Sequence, residues 1–164
     1  MEASRIITDL LLVTLIAGAN AAPWLLGHWL GRRDARPVDS GWQLPNGQPL
    51  LGPSKTWRGL AAALIATPLL ALLIGWPVWL GLAVGGAAMV GDLMASFLKR
   101  RLGLASSTDA PGLDQIPEAL FPALVATFWL ELDWIDLGLV VGTFLISHLL
   151  LTNLLPRRLR SDNR

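Results

Sequence analysis

Five long apolar runs leave this chain few architectures: Ile6 to Leu30, Leu60 to Gly75, Pro77 to Leu98, Leu120 to Leu132 and Ile135 to Leu155. Crossing about 30 Å of hydrocarbon takes roughly 20 helical residues, and an open sheet edge cannot face lipid, so each run predicts a helix. The expected fold class is all-α, a polytopic membrane protein of about five transmembrane helices. Composition agrees, since 53% of the 164 residues are apolar and only 15% are charged. The fourth run is short and has Pro122 near its start, so it must borrow upstream residues to reach full depth. The spans then run about 6–30, 60–75, 77–98, 116–132 and 135–155 in one membrane domain, with loops 31–58 and 99–115. The first run is too long for the apolar part of a cleaved signal peptide and is expected to stay in the membrane.

Charge placement orients these spans. Of the thirteen Lys and Arg residues, Arg32, Arg33, Arg36, Lys55 and Arg58 follow the first run, Lys99, Arg100 and Arg101 end the third, and Arg157, Arg158, Arg160 and Arg164 follow the fifth. Only Arg5 lies elsewhere. The break Gly75-Trp76-Pro77 carries no charge and predicts a tight hairpin, while Glu131, Asp133 and Asp136 form an acidic turn without Lys or Arg. Cytoplasmic loops hold the excess of cations, so the N-terminus is expected outside the cell membrane and the C-terminus in the cytoplasm. Topology and anionic headgroups account by default for Arg32, Arg33 and the C-terminal cluster. No cysteine is present, which excludes disulfides, thiolate metal sites and cysteine nucleophiles. Gly81, Gly85, Gly86 and Gly91 make the third span a small-residue helix suited to close packing at the centre of the bundle.

Three segments carry the residues suited to chemistry. The stretch from Gly47 to Gly59 begins like a P-loop, but Pro53 and Ser54 separate Gly52 from Lys55 and no strand precedes, so that motif is rejected. Ser54 is the expected N-cap of the second helix, placing Lys55, Thr56 and Arg58 in a first turn that attracts anions. A purely topological role for Lys55 and Arg58 stands equally open. In the third helix, Asp92, Ser96 and Lys99 share one face, and an acid inside a span needs protein, water or a cation beside it. A plain Asp92 to Lys99 pairing is the alternative. Asp114 and Glu118 lie one turn apart at the mouth of the fourth helix, where spacing alone favours capping.

Taken together, three carboxylates and at least four cations fall in two loops assigned to one face, the mixture that holds a divalent ion against phosphate oxygens. Acyl transfer fits poorly, because His28 and His148 lie in apolar spans without a Ser/acid pattern and read as packing or interfacial residues. A transporter fits less well still, since the charges gather in loops rather than near the midplane of paired broken helices.

The segments Gly52-Pro53-Ser54-Lys55-Thr56-Trp57-Arg58-Gly59, Gly91-Asp92-Leu93 through Ser96-Phe97-Leu98-Lys99-Arg100-Arg101-Leu102-Gly103, Leu113-Asp114-Gln115 and Ala19-Asn20-Ala21-Ala22-Pro23 resemble the CDP-archaeol synthase family and, more distantly, phosphatidate cytidylyltransferases. The resemblance extends over almost the whole chain. It implies a Mg²⁺-dependent transfer of CMP from CTP to a lipid monophosphate. Carried onto matching positions, it gives Lys55 and Arg58 phosphate-binding roles, Asp92 and Asp114 to Mg²⁺, and Lys99, Arg100 and Arg101 to the triphosphate or lipid phosphate, with Thr56 and Ser96 beside them as substrate contacts. Implied partners are CTP, the lipid phosphate and membrane lipids; no nucleic acid is expected, and self-association stays open. One departure stands out: the family places a second acid three residues after the position of Asp114, and this chain has Pro117 there. Either Glu118 serves as the third metal ligand through a shifted helix start, or a ligand is missing and the chain is a lipid-phosphate-binding protein without turnover.

Overall fold

The computed structural model describes residues 2–31, 33–106, 108 and 110–154. Arg32, Leu155 and the basic residues Arg157, Arg158, Arg160 and Arg164 lie outside them. Among the described residues the chain forms five helices: α1 (Glu2–Leu30), α2 (Trp57–Leu73), α3 (Val78–Arg101), α4 (Gln115–Ala126) and α5 (Trp134–Leu154). They run up and down, so the end of α1, the start of α2, the end of α3 and the start of α4 share one end of the bundle. Three of them, over Ser4–Leu30, Val78–Arg101 and Trp134–Thr152, are long and apolar enough to cross a membrane.

α4 differs from the expected span of 116–132. Its 12 residues rise only about 18 Å. Thr127 ends it: the hydroxyl donates to the Leu124 carbonyl at 2.7 Å, and Trp129 N–H closes a tight turn on Ala126 O at 3.0 Å. The chain then continues without a helix to Asp133, with Leu130 and Leu132 packed on the core. Trp129 meets Trp79 edge to face at 5.0 Å, which levels this turn with the start of α3.

Small residues set the helix spacing. Gly81 lies so close to α2 that a Cβ there would stand 2.6 Å from Pro68 Cα and 2.8 Å from the Thr67 carbonyl oxygen. Gly85 faces the Thr67 side chain in the same way, at 2.9 Å. Gly86 meets only the tip of Leu64, so it has room the other two lack. Such contacts give helices dispersion attraction where lipid offers no hydrophobic drive. The core beyond them joins Leu12, Leu15 and Ile16 of α1 to Val84, Ala123, Val140 and Phe144. Leu73, Phe128, Trp134 and Ile135, all at least 72% exposed, point outward, as lipid-facing side chains do. The hairpin between α2 and α3 is as tight as expected: Trp76 N–H reaches Ala71 O at 2.8 Å and Gly75 adopts a φ of +80°, open to glycine.

At the end opposite Lys55, Arg5 bonds Asp133 at 2.8 Å and Asp136 at 2.6 Å, tying the start of α1 to the start of α5. A Cβ on Gly142 would meet nothing within 4 Å. Gly81→Ala is therefore expected to destabilise the bundle by about 1–3 kcal/mol through overpacking, whereas Gly142→Ala should be neutral or stabilising by up to about 1 kcal/mol. Thermal unfolding in detergent, followed by circular dichroism, separates the two; equal melting temperatures would refute the close-packing account.

Candidate active site

Lys55 does not lie in the first turn of α2. Thr56, not Ser54, is the N-cap, its hydroxyl accepting from Gly59 N–H at 3.2 Å. The reason is that Lys55 is already committed to extended backbone: Val38 N–H donates to its carbonyl at 2.8 Å, and Pro37 bridges Thr56. The Lys55 side chain is free to reach across the bundle, where Nζ meets Asp92 Oδ1 at 2.5 Å. Asp92 thus pairs with Lys55 and not with Lys99.

Lys99 turns instead to α4, meeting Asp114 Oδ1 at 2.7 Å and the Thr108 carbonyl at 3.1 Å. Asp114 occupies the N-cap position without making a side-chain cap, so capping does not account for it. Its other oxygen accepts from Ala110 N–H at 3.1 Å. Ser96 is buried between Asp92 and Lys99 on the inner face of α3.

Glu118 comes inward. It is buried, only 9% exposed, within hydrogen-bonding reach of the Asp92 carboxyl and close enough to Lys55 and Asp114 to feel their charges. A Cβ on Gly91 would lie 2.9 Å from Glu118 N and closer still to the Pro117 carbonyl, so α3 and α4 touch backbone to backbone here. Pro117 sits in the first turn of α4, where a missing N–H costs nothing.

Two expected site residues are turned to structural partners. Arg58 donates to the carbonyls of Arg33 and, at 2.5 Å, Gly31, capping the end of α1, and the Thr56 hydroxyl is the α2 cap. Arg100 is buried, bonds Ala105 O at 2.8 Å, and its Nε has no partner among the described residues. Arg101 spans to the first loop at Pro49 O, 2.9 Å, and its guanidinium lies 5.0 Å over the Phe97 ring. His28 stacks on Trp24 and His148 lies beside Phe144, both as packing residues.

Among the described residues no three His, Asp or Glu side chains are set together to hold a metal ion. The donor chemistry nonetheless suits Mg²⁺: Asp92 and Glu118 adjoin and supply only oxygen, the ligand atom a hard cation selects.

Sequence reasoning missed Asp39. Its carboxylate is buried in the first loop and accepts from Gly41 N–H at 3.0 Å and from Leu51 and Gly52 N–H, each at 2.9 Å. The only local signal was an Asp two residues before a glycine, the pattern of an Asx-turn.

With this geometry in view, comparison with known proteins decides the family. Residues 70–161 match the family described as CarS-like: CDP-archaeol synthase, and residues 3–112 match the Cytidylyltransferase family. The chain belongs to the CDP-archaeol synthase family. It is 38% identical over 104 residues to the CDP-archaeol synthase of Hyperthermus butylicus, covering 60% of this chain and 59% of that one. With the Halorubrum lacusprofundi CDP-archaeol synthase it shares 36% identity over 140 residues, 73% of this chain and 74% of the relative. The chain therefore spans between about three fifths and three quarters of these two relatives. A solved intramembrane enzyme for archaeal membrane lipid biosynthesis superposes with a TM-score of 0.74 at 31% identity, covering 90% of this chain and 94% of that one. This family member is an integral membrane protein.

Burial raises the proton affinity of Asp39, but the amides of Gly52, Leu51 and Gly41 outweigh it, and the carboxyl is held below its ordinary value of 3.8. Because the folded value is depressed, the loop's stabilisation is complete above the unfolded value and is lost as pH falls through the folded one. An NMR titration of the Asp39 carboxyl should give a midpoint below 3.8; a midpoint above it would contradict the hydrogen-bond geometry.

Proposed function

We propose that this chain transfers CMP from CTP to a lipid monophosphate at the end of the bundle where Lys55, Asp92, Lys99, Asp114 and Glu118 gather. The observation that carries the reading is the meeting of Lys55, Asp92 and Glu118 from a loop and two helices in a chain of this family. A lipid phosphate oxygen attacks the α-phosphorus of CTP, the bond to the β-phosphate oxygen breaks, and pyrophosphate leaves. The attacking phosphate is already an anion at neutral pH, so no general base is required.

The work of the protein is alignment and charge stabilisation. Lys55 faces the carboxylate pair and is placed to neutralise phosphate oxygens as charge shifts to the leaving group. Lys99 and Arg100, brought together at the end of α3, supply further donors for the triphosphate, and the Nε of Arg100 is a buried donor without a partner among the described residues. Asp92 and Glu118, with Asp114 beyond Lys99, are the residues that would hold Mg²⁺, which when bound supplies Lewis-acid stabilisation of phosphate charge. Glu118 takes the part that Pro117 cannot.

The lysines and arginines of the loops support a cytoplasmic position for this end of the bundle by the positive-inside bias, with the chain in the cell membrane. The product named in the relatives, CDP-archaeol, makes an isoprenoid diether glycerol phosphate the first substrate to test, with a diacyl counterpart beside it. Purified protein with labelled CTP, Mg²⁺ and these lipids should release pyrophosphate and form a CDP-lipid, and chelation of the divalent ion should stop it. Asp92→Asn and Lys55→Ala are each expected to lower kcat on the order of 10²-fold or more. Absence of CDP-lipid with every lipid phosphate would point to the binding protein without turnover, and a wild-type rate in Asp92→Asn would remove that residue from the site.

A further inference from the structure

Lys55 is held in place by the loop that precedes α2. Its N–H donates to the Gly52 carbonyl at 3.3 Å, and its carbonyl accepts from Val38 N–H at 2.8 Å. Both partners adjoin the same buried carboxylate: Gly52 N–H donates to Asp39 Oδ2 at 2.9 Å, and Val38 precedes Asp39 in the chain. Asp39 accepts three amides in all and forms no ion pair among the described residues. Its charge is therefore matched by loop dipoles, not by a cation.

The tied segment is also seated against the second loop. Gly52 adopts a φ of +99°, which favours glycine, and a Cβ there would press on Ser106 Oγ at 3.2 Å. Ser106 Oγ meets Ser54 Oγ at 3.2 Å, and Arg101 reaches Pro49 O. Removing the Asp39 acceptors would release Leu51 and Gly52 and, through Gly52, the backbone of Lys55.

We propose that Asp39 is a positioning residue for cytidylyl transfer, fixing the loop so that the Lys55 ammonium meets Asp92 and the reacting phosphates. The inference rests on the assignment of Lys55 to the site. Asp39→Asn keeps the size of the side chain but presents an NH₂ group to at least one of the three amides. It should lower kcat roughly 10- to 100-fold, the cost of misplacing a catalytic group by about an ångström, while circular dichroism shows the helical bundle still folded.

A double-mutant cycle gives the readout that a merely structural role would not move. In a Lys55→Arg background, already slowed, Asp39→Asn should cost far less than in the wild type, because the group it positions is already displaced. Equal losses in the two backgrounds, or wild-type kcat in Asp39→Asn, would overturn the proposal. Should Asp39→Asn not yield folded protein, Asp39→Glu, which keeps the charge and is one methylene too long for the same three bonds, enters the same cycle with the same criteria. A wild-type rate in Lys55→Ala is a different failure, and it would remove Lys55 itself from the site.

Discussion

At Gly91 a Cβ would stand 2.6 Å from the carbonyl carbon of Pro117 and 2.9 Å from Glu118 N, so only a hydrogen lets α3 and α4 meet there backbone to backbone. Asp92 follows Gly91 directly and Glu118 follows Pro117, and the contact therefore delivers two carboxyl groups to one place. A larger residue at 91 would separate the helices and the acids together. Packing and chemistry share a cause here: the small residue that allows the closest approach is next in sequence to the acid whose partner that approach supplies.

The ion pairs around this contact do not earn their place through stability. A partly buried pair such as Lys55 with Asp92 gives back much of its Coulomb energy as lost solvation, and an apolar pair would often hold the fold as well. Yet two such pairs, Lys55 with Asp92 and Lys99 with Asp114, stand at the same end, each joining segments distant in sequence. Under the proposed function, their cost would be offset by a ligand that carries both a cation for the acids and anionic oxygens for the lysines, as a metal nucleotide does. Each protein pair would then keep its members solvated by one another until such a ligand exchanged partners with them.

The membrane character, the helical fold, the α2–α3 hairpin and the segments that meet at the candidate site were legible because they rest on hydropathy, charge runs and glycine, all local quantities. The partner choices were not. On helical spacing Asp92 and Lys99 belong to one face, and only the route of the first loop gives Lys55 to Asp92 and leaves Lys99 for Asp114. The N-cap was misplaced from Thr56 to Ser54 for the same reason, since a long-range bridge between Pro37 and Thr56 keeps Lys55 extended. Glu118 was recognised as an acid near the right helix start, but its inward direction depends on the Gly91 contact. Asp39 was passed over because its partners, Leu51 and Gly52, lie more than ten residues away and donate through backbone that no side-chain pattern reveals.

The shortness of α4, a difficulty for the span assignment, has a structural return. Glu118 is level with Gly91, and α3 runs ten residues further to Arg101, whereas α4 begins only three residues before Glu118. At 1.5 Å per residue the start of α4 is recessed by about 10 Å from the end of α3. The second loop must then fold back along the last turns of α3, which is where Arg100 bonds Ala105 O and Lys99 reaches Thr108 O and Asp114. The recess is walled on the other side by the Asp39-tied first loop, which Arg101 and Ser106 join to the second. Polar groups can thus lie below the helix ends without facing lipid, because the two loops cover them. Under the proposed function, a phosphate on a lipid anchored in the bilayer and a nucleotide arriving from water would meet at this recess, which a full-length α4 would fill.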